Sequence, residues 1–224
     1  MLSLVIPVYK NEENLPRLFR ELEPLAQKLP GDLEIIFVVD GTGKMIEAWS
    51  QWDHLFARTD QEVGVHRVRI SPHDRERRVW VIDESSHQIH VFSNDGKKLL
   101  LTLGKPGGNQ PGQPADPASF YQPNDIITYP NGDILVAEGH GNAPPATARL
   151  IRFDKTGKFL REFGKMGSGL EGEFMQPHGL AFDSKGRLFV ADRSNNRIQI
   201  LDAETYKTLD TWYQFSRLSG IYID

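Results

Sequence analysis

QPHGLAFDSKGRLFVADRSNNRIQILD, residues Gln176 to Asp202, is the stretch whose reading decides the fold. Gly179 to Asp183 alternates apolar and polar residues, as a half-buried strand does, and Ser184-Lys185-Gly186 is a turn sequence. Arg187 to Ala191 supplies a second strand, Ser194-Asn195-Asn196 a second turn, and Arg197 to Leu201 a third strand. Strands this short cannot fold as an isolated meander, so the unit is expected to recur along the chain.

It recurs upstream. Gln122 to Gly164 places Ile126-Ile127-Thr128, Ile134-Leu135-Val136 and Leu150-Ile151-Arg152-Phe153 on three strands and Phe159 to Phe163 on a fourth. Val65 to Gly104 follows the same plan, and Leu218 to Asp224 opens a further copy. The blades are expected at about 65–104, 122–164 and 176–215, with the start of the next at 216–224.

The third copy resembles the NHL family of β-propellers, whose blades carry a PxGIAVD first strand, a YVAD second strand and an NNRIQVF third. Here those stretches read PHGLAFD, FVAD and NNRIQIL, and the first two copies match more loosely. The resemblance implies a mainly β fold, an incomplete NHL-type β-propeller of three blades plus the first strand of a fourth, over residues 63–224. A propeller removes its sheet edges by pairing its last blade with its first. An incomplete ring is therefore expected to self-associate or to pair with a complementary propeller portion.

Composition bounds what such a chain binds. Its 224 residues suffice for one large β domain or two small ones, and 39% are hydrophobic, enough for a packed core. The formal charge of -4 and the lack of a dense Lys/Arg block argue against a surface that tracks nucleic-acid phosphates. The chain has no cysteine, so neither a disulfide nor a thiolate ligand forms. No run is long and apolar enough to span a bilayer, and Met1 to Tyr9 lacks the basic start of a secretory signal. Neither a nucleic acid nor a membrane is expected as a partner. The compartment stays open, with the cytoplasm as the default.

The beginning of the chain reads differently. Leu2 to Val8 is a continuous apolar run, Asn11 to Asn14 caps an amphipathic helix carrying Leu15, Leu18, Leu22 and Leu25, and Leu33 to Val39 reads as a second, parallel strand. SLVIPVYKNEENL followed by IIFVVDG resembles the start of a family 2 glycosyltransferase over residues 1–41, a short βαβ fragment. The resemblance implies that Asp40 contacts the base of a nucleotide sugar. The family's later Asp-x-Asp metal site and catalytic carboxylate have no counterpart. Residues 42–62, with Trp49, Trp52, Leu55 and Phe56, are expected to form a short helix or a connecting loop.

Aligning the starts of the copies puts His66, Asn124, His178 and Ser219 at one position, just before the innermost strand and facing the channel. Histidine thus falls on alternate blades. In a six-bladed ring alternate blades stand at three-fold positions, where three imidazoles would make an open-faced zinc site. The third ligand is expected from a fifth blade, beyond Asp224.

PHGLAFD with VADRSNNRIQ, QPNDIITYPNGDILVAEG and WVIDESSHQIHVF resemble stretches of the peptidyl-α-hydroxyglycine α-amidating lyases, which use zinc to cleave an α-hydroxyglycine to an amide and glyoxylate. Position by position, the resemblance implies His66 and His178 as zinc ligands and Arg193 as the active-site arginine, with His140 in the place of the tyrosine base. It also implies a structural calcium. Against these stand plainer roles. His66 and His178 could cap strand ends, and Asp83, Glu138 and Asp192 could hold turns by accepting backbone amides. The expected function is an NHL-repeat propeller binding or interaction module for a small molecule or peptide, a truncated or fused relative of the zinc-dependent lyases that is not expected to be catalytically complete. The alternative is the lyase reaction itself after self-association, with glycosyl transfer third.

Overall fold

A computed structural model of the protein describes residues 37–39, 45–56, 64–109, 116–141, 147–169 and 171–223. The chain divides into two compact units, Met1–Val65 and His66–Asp224.

In the first unit β1 (Phe37–Val39) pairs with β2 (Met45–Ala48), and a 3-10 turn follows at Ser50–Leu55. The pairing is antiparallel; Leu2 to Val8, the strand expected to run parallel to the one ending at Val39, lies outside the described residues. Residues 42–62 accordingly contribute a strand as well as a short helical turn. The apolar run before Val8, the helix after it and Asp40 lie outside the described residues.

The second unit consists of three four-stranded antiparallel sheets. The first is β3 (Val65–Arg69), β4 (Val79–Asp83), β5 (Gln88–Phe92) and β6 (Leu99–Gly104). The second is β7 (Pro123–Thr128), β8 (Ile134–Glu138), β9 (Arg149–Phe153) and β10 (Phe159–Phe163). A short parallel ladder, β11 (Lys165–Met166) with β12 (Glu173–Phe174), leads into the third sheet. That sheet is β13 (Pro177–Phe182), β14 (Arg187–Asp192), β15 (Arg197–Asp202) and β16 (Thr208–Trp212). Strand order follows sequence order in each, the meander that the repeat predicts.

Local chemistry makes the turns. Asp183 Oδ1 accepts the amides of Lys185 and Arg187 at 3.0 and 2.8 Å, while Gly186 takes the positive φ of +74° that closes the hairpin between β13 and β14. Asp154 does the same between β9 and β10 with the amides of Thr156 and Lys158.

The alternation of side chains then stacks the sheets. On β8, Ile134 and Val136 pack with Trp80, Ile82, Ile89 and Val91 of the first blade, whereas Leu135 and Ala137 pack with Leu180, Leu188 and Val190 of the third. A middle blade buried on both faces is why this strand reads as an unbroken apolar run. Within the third blade Ala181, Phe189, Ile198 and Ile200 form the next face, covered by Leu218, Ile221 and Ile223.

Those covering residues carry a correction. Residues 216–223 were expected to open with a strand, but they form none. Their apolar side chains seat on the third blade, yet a strand also needs a hydrogen-bonded neighbour, and none of the described residues pairs with them. No helix among the described residues is long and apolar enough to cross a membrane.

Candidate functional site

Antiparallel pairing puts the start of each first strand beside the end of each second strand. In the second blade Pro123 opposes Glu138, and in the third Pro177 opposes Asp192. Residues just after Pro123 and Pro177 and just after Glu138 and Asp192 therefore gather at one end of the blades.

Both first strands are bulged there. The register steps from Pro123 to Asp125 and from Pro177 to Gly179, so Asn124 and His178 are the extra residues. A bulge re-aims its side chain out of the ladder. His178 is buried and points at the equivalent residue of the first blade, His66, with their Nε2 atoms 3.1 Å apart. Asn124 turns instead to the Pro177 carbonyl, to which its amide donates at 3.0 Å. Gly179 lacks a Cβ that would crowd Gly220, which lets the 218–223 segment approach closely enough for the His178 ring to donate from Nδ1 to the Ser219 carbonyl at 2.8 Å. Arg67 donates to the same carbonyl and pairs with the buried Asp125 at 2.8 Å.

The ends of the second strands complete the group. His140 follows Glu138 and Gly139, whose φ of +108° and lack of a Cβ allow the chain to turn against the Thr147 carbonyl. Gln176 donates to the His140 carbonyl and accepts from Ser194 Oγ at 2.8 Å, which ties this loop to the third blade. One imidazole nitrogen from each of His66, His140 and His178 lies within 4.8 Å of the others. Among the described residues this is the one such cluster of histidines and carboxylates with metal-binding spacing.

A buried carboxylate, Glu84, sits behind two of the rings. Its Oε1 accepts from His140 Nδ1 at 2.7 Å, and its Oε2 lies 3.3 Å from His66 Nδ1. Arg193, following Asp192, reaches across to His140 Nε2 at 2.9 Å. Among the described residues no carboxylate lies within ion-pairing distance of Arg193, and its Nε is buried without a hydrogen-bond partner.

Hydrogen-bond partners fix the tautomers. A carbonyl and a carboxylate only accept, so neutral His178 and His140 carry their proton on Nδ1 and present Nε2 lone pairs. Burial, against the pull of Glu84, lowers the His66 pKa to about 4, and burial lowers that of His178 to about 3 despite the Ser219 carbonyl. Both rings are neutral at physiological pH. His66 is then left between a carboxylate that wants its proton on Nδ1 and a lone pair on His178 that wants it on Nε2.

The carboxylates named from sequence as turn-holders do that work. Asp83 Oδ1 accepts from Ser85 and Ser86 at 3.0 and 3.1 Å, Glu138 from Tyr121 at 2.8 Å, and Asp192 from Met175 at 2.6 Å. Arg197 is likewise structural, buried on Asp192 at 2.7 Å. Sequence reasoning missed Glu84, although the repeat carries the signal, because Glu84 follows Asp83 as Arg193 follows Asp192. It also looked beyond Asp224 for a third imidazole, whereas the structure brings His140 beside His66 and His178.

Comparison with known proteins agrees with the fold. The NHL repeat family model matches residues 174–201. The chain is 34% identical over 141 residues to human NHL repeat-containing protein 3, covering 61% of this chain and 39% of that protein. It is 30% identical over 145 residues to peptidyl-alpha-hydroxyglycine alpha-amidating lyase 1 of Drosophila melanogaster, covering 60% of this chain and 24% of that protein. Among solved structures, the hydrazine synthase of Kuenenia stuttgartiensis superposes with a TM-score of 0.51 at 13% identity, over 73% of this chain and 40% of that one, a likeness of fold alone. The chain thus carries an NHL repeat and is homologous to NHL-repeat proteins and to the amidating lyases. It spans well under half the length of these curated relatives.

Proposed function

We propose that the propeller unit is a metal-dependent binding module related to the amidating lyases, holding zinc through His66 and His178 and a ligand carboxylate through Arg193. The observation that carries this reading is the 3.1 Å separation of the two Nε2 atoms. Two imidazole nitrogens on a tetrahedral zinc, at about 2.0–2.1 Å from the metal, lie roughly 3.4 Å apart. Neutral imidazole donors suit zinc, whereas calcium takes oxygen ligands. When bound, the ion supplies a positive charge that orients and polarises a ligand oxygen.

The residues around it define the ligand. Arg193 carries a planar cationic fork with no carboxylate of its own, suited to the carboxylate of an incoming molecule. An oxygen on the adjacent carbon would face the imidazole cluster. An α-hydroxy acid at the end of a peptide has both groups, and the relatives' names point to peptidyl-α-hydroxyglycine as that class. Calorimetric titration tests this with zinc and then with an N-acyl-α-hydroxyglycine. Zinc binding at one site per chain, abolished in His178→Ala, is expected. A wild-type chain that takes up no zinc contradicts the reading.

A second reading is cleavage of that ligand to an amide and glyoxylate, favoured by the 2.9 Å approach of Arg193 to His140, which stands where the lyases carry their tyrosine base. Glyoxylate release from the zinc-loaded chain separates it from binding alone.

A further inference from the structure

The geometry points to a complete metal site within three blades: we propose that His140 is the third imidazole ligand, with Glu84 the carboxylate that orients both His140 and His66. The inference rests on the zinc-binding reading above and deepens it. It replaces the ligand expected from a further blade and gives His140 a role other than that of the tyrosine whose place it takes.

Three observations support it. First, the ligand nitrogens of the three rings are already within 4.8 Å of one another, so closure onto one ion asks for movement of only about 1.5 Å toward the roughly 3.4 Å spacing of a tetrahedral set. His140 is the ring that has to move, and it lies beyond the end of β8, after Gly139, instead of within a strand.

Second, the outer partners are those of metal-bound histidines. Such a ring donates its far N–H to a carboxylate or a backbone carbonyl, which fixes the tautomer and aims the near lone pair at the ion. His178 has the Ser219 carbonyl and His140 has Glu84 Oε1, while Glu84 Oε2, which makes no hydrogen bond, stands 3.3 Å from His66 Nδ1. One carboxylate thus serves two rings and brings a negative charge to a cluster that would hold a dication.

Third, the metal-free arrangement is in conflict with itself. With His66 protonated on Nδ1 toward Glu84, two lone pairs face each other at 3.1 Å, and with the proton on Nε2 a lone pair faces the carboxylate. A cation among the Nε2 atoms removes both conflicts. Arg193 supplies positive charge at that place in the metal-free chain, donating to His140 Nε2. Metal binding releases this guanidinium, which is then available to a ligand carboxylate. An Nε2 lone pair committed to a cation is no longer a base, so His140 as a ligand does not serve as the base of the cleavage reading.

Cobalt(II), a spectroscopic stand-in for zinc, tests the assignment on the full chain. The protein has no cysteine, so a sulfur-to-cobalt charge-transfer band in His140→Cys can arise only from position 140. That band is expected, together with cobalt affinity at least about tenfold weaker in His140→Ala. Wild-type cobalt binding with no such band in His140→Cys, and unchanged affinity in His140→Ala, would overturn the role of His140 while leaving a two-histidine site. Failure of the wild-type chain to bind cobalt would overturn both readings. Should His140→Ala not fold, the His140→Cys spectrum decides the matter alone.

Discussion

The Nε2 atoms of His66 and His178 meet at 3.1 Å although 112 residues separate them in sequence. Each stands at the start of the first strand of its own blade, so the stacking of blades creates the contact. Neither ring can be placed without the sheets between them.

That burial sets a pH dependence. In metal-free protein the folded pKa values of about 4 for His66 and about 3 for His178 lie below the ordinary 6.5, so on acidification the unfolded chain takes up protons first. The stability these two neutral rings contribute is complete above pH 6.5 and is lost as pH falls from there toward their folded values. Urea denaturation in chelator should show stability dropping across this window, with a shallower drop in a His66→Gln/His178→Gln double variant. An identical slope in the double variant would refute the assignment.

Arg193 donates to His140 Nε2, the atom that the proposed metal would occupy. Arg193→Ala should therefore hold zinc at least as tightly as wild type. The same variant should bind an N-acyl-α-hydroxyglycine about tenfold to a hundredfold more weakly, the worth of a charge-assisted hydrogen bond of roughly 1.5–3 kcal/mol. Parallel loss of both zinc and ligand would argue for a merely structural arginine.

The turn before His140 admits only glycine. At φ +108°, with a Cβ driven into the Thr147 carbonyl, Gly139→Ala is expected to cost about 1–3 kcal/mol and to displace the third ring. Thermal melts with and without zinc measure both effects. A wild-type increase in midpoint on adding zinc to Gly139→Ala would show that the turn does not position His140.

Beneath the site, buried Glu138 accepts from Arg149 Nε at 2.5 Å, and burial pushes its pKa up while Arg149 opposes that rise. Arg149→Met leaves the carboxylate unpaired and should destabilise the chain by about 3–5 kcal/mol. A Glu138→Gln/Arg149→Met double variant should recover part of that loss. An Arg149→Met chain as stable as wild type would contradict the pairing.

Much of this fold was legible in the sequence because its information is local. Asp183 and Gly186 make their turn whatever lies beyond it, and the apolar run at Ile134 to Ala137 marks a strand covered on both faces. His66 and His178 were legible because they occupy the same repeat position. His140 was visible as a residue but not as a neighbour of those two, since its place depends on the turn at Gly139 and on the tie from Gln176 of the third blade. Glu84 has no distinguishing motif, and its role appears only when the two rings it serves are brought together. The 218–223 segment carried the pattern of a strand but lacks the partner that would make it one.

The measurement that bears most directly on the account is the zinc content of the chain under native mass spectrometry, after equilibration with zinc and desalting. One zinc ion per chain, lost in His66→Ala and in His140→Ala alike, is the predicted result. A wild-type chain that emerges without zinc, or a His140→Ala chain that retains it as wild type does, would contradict the three-histidine site.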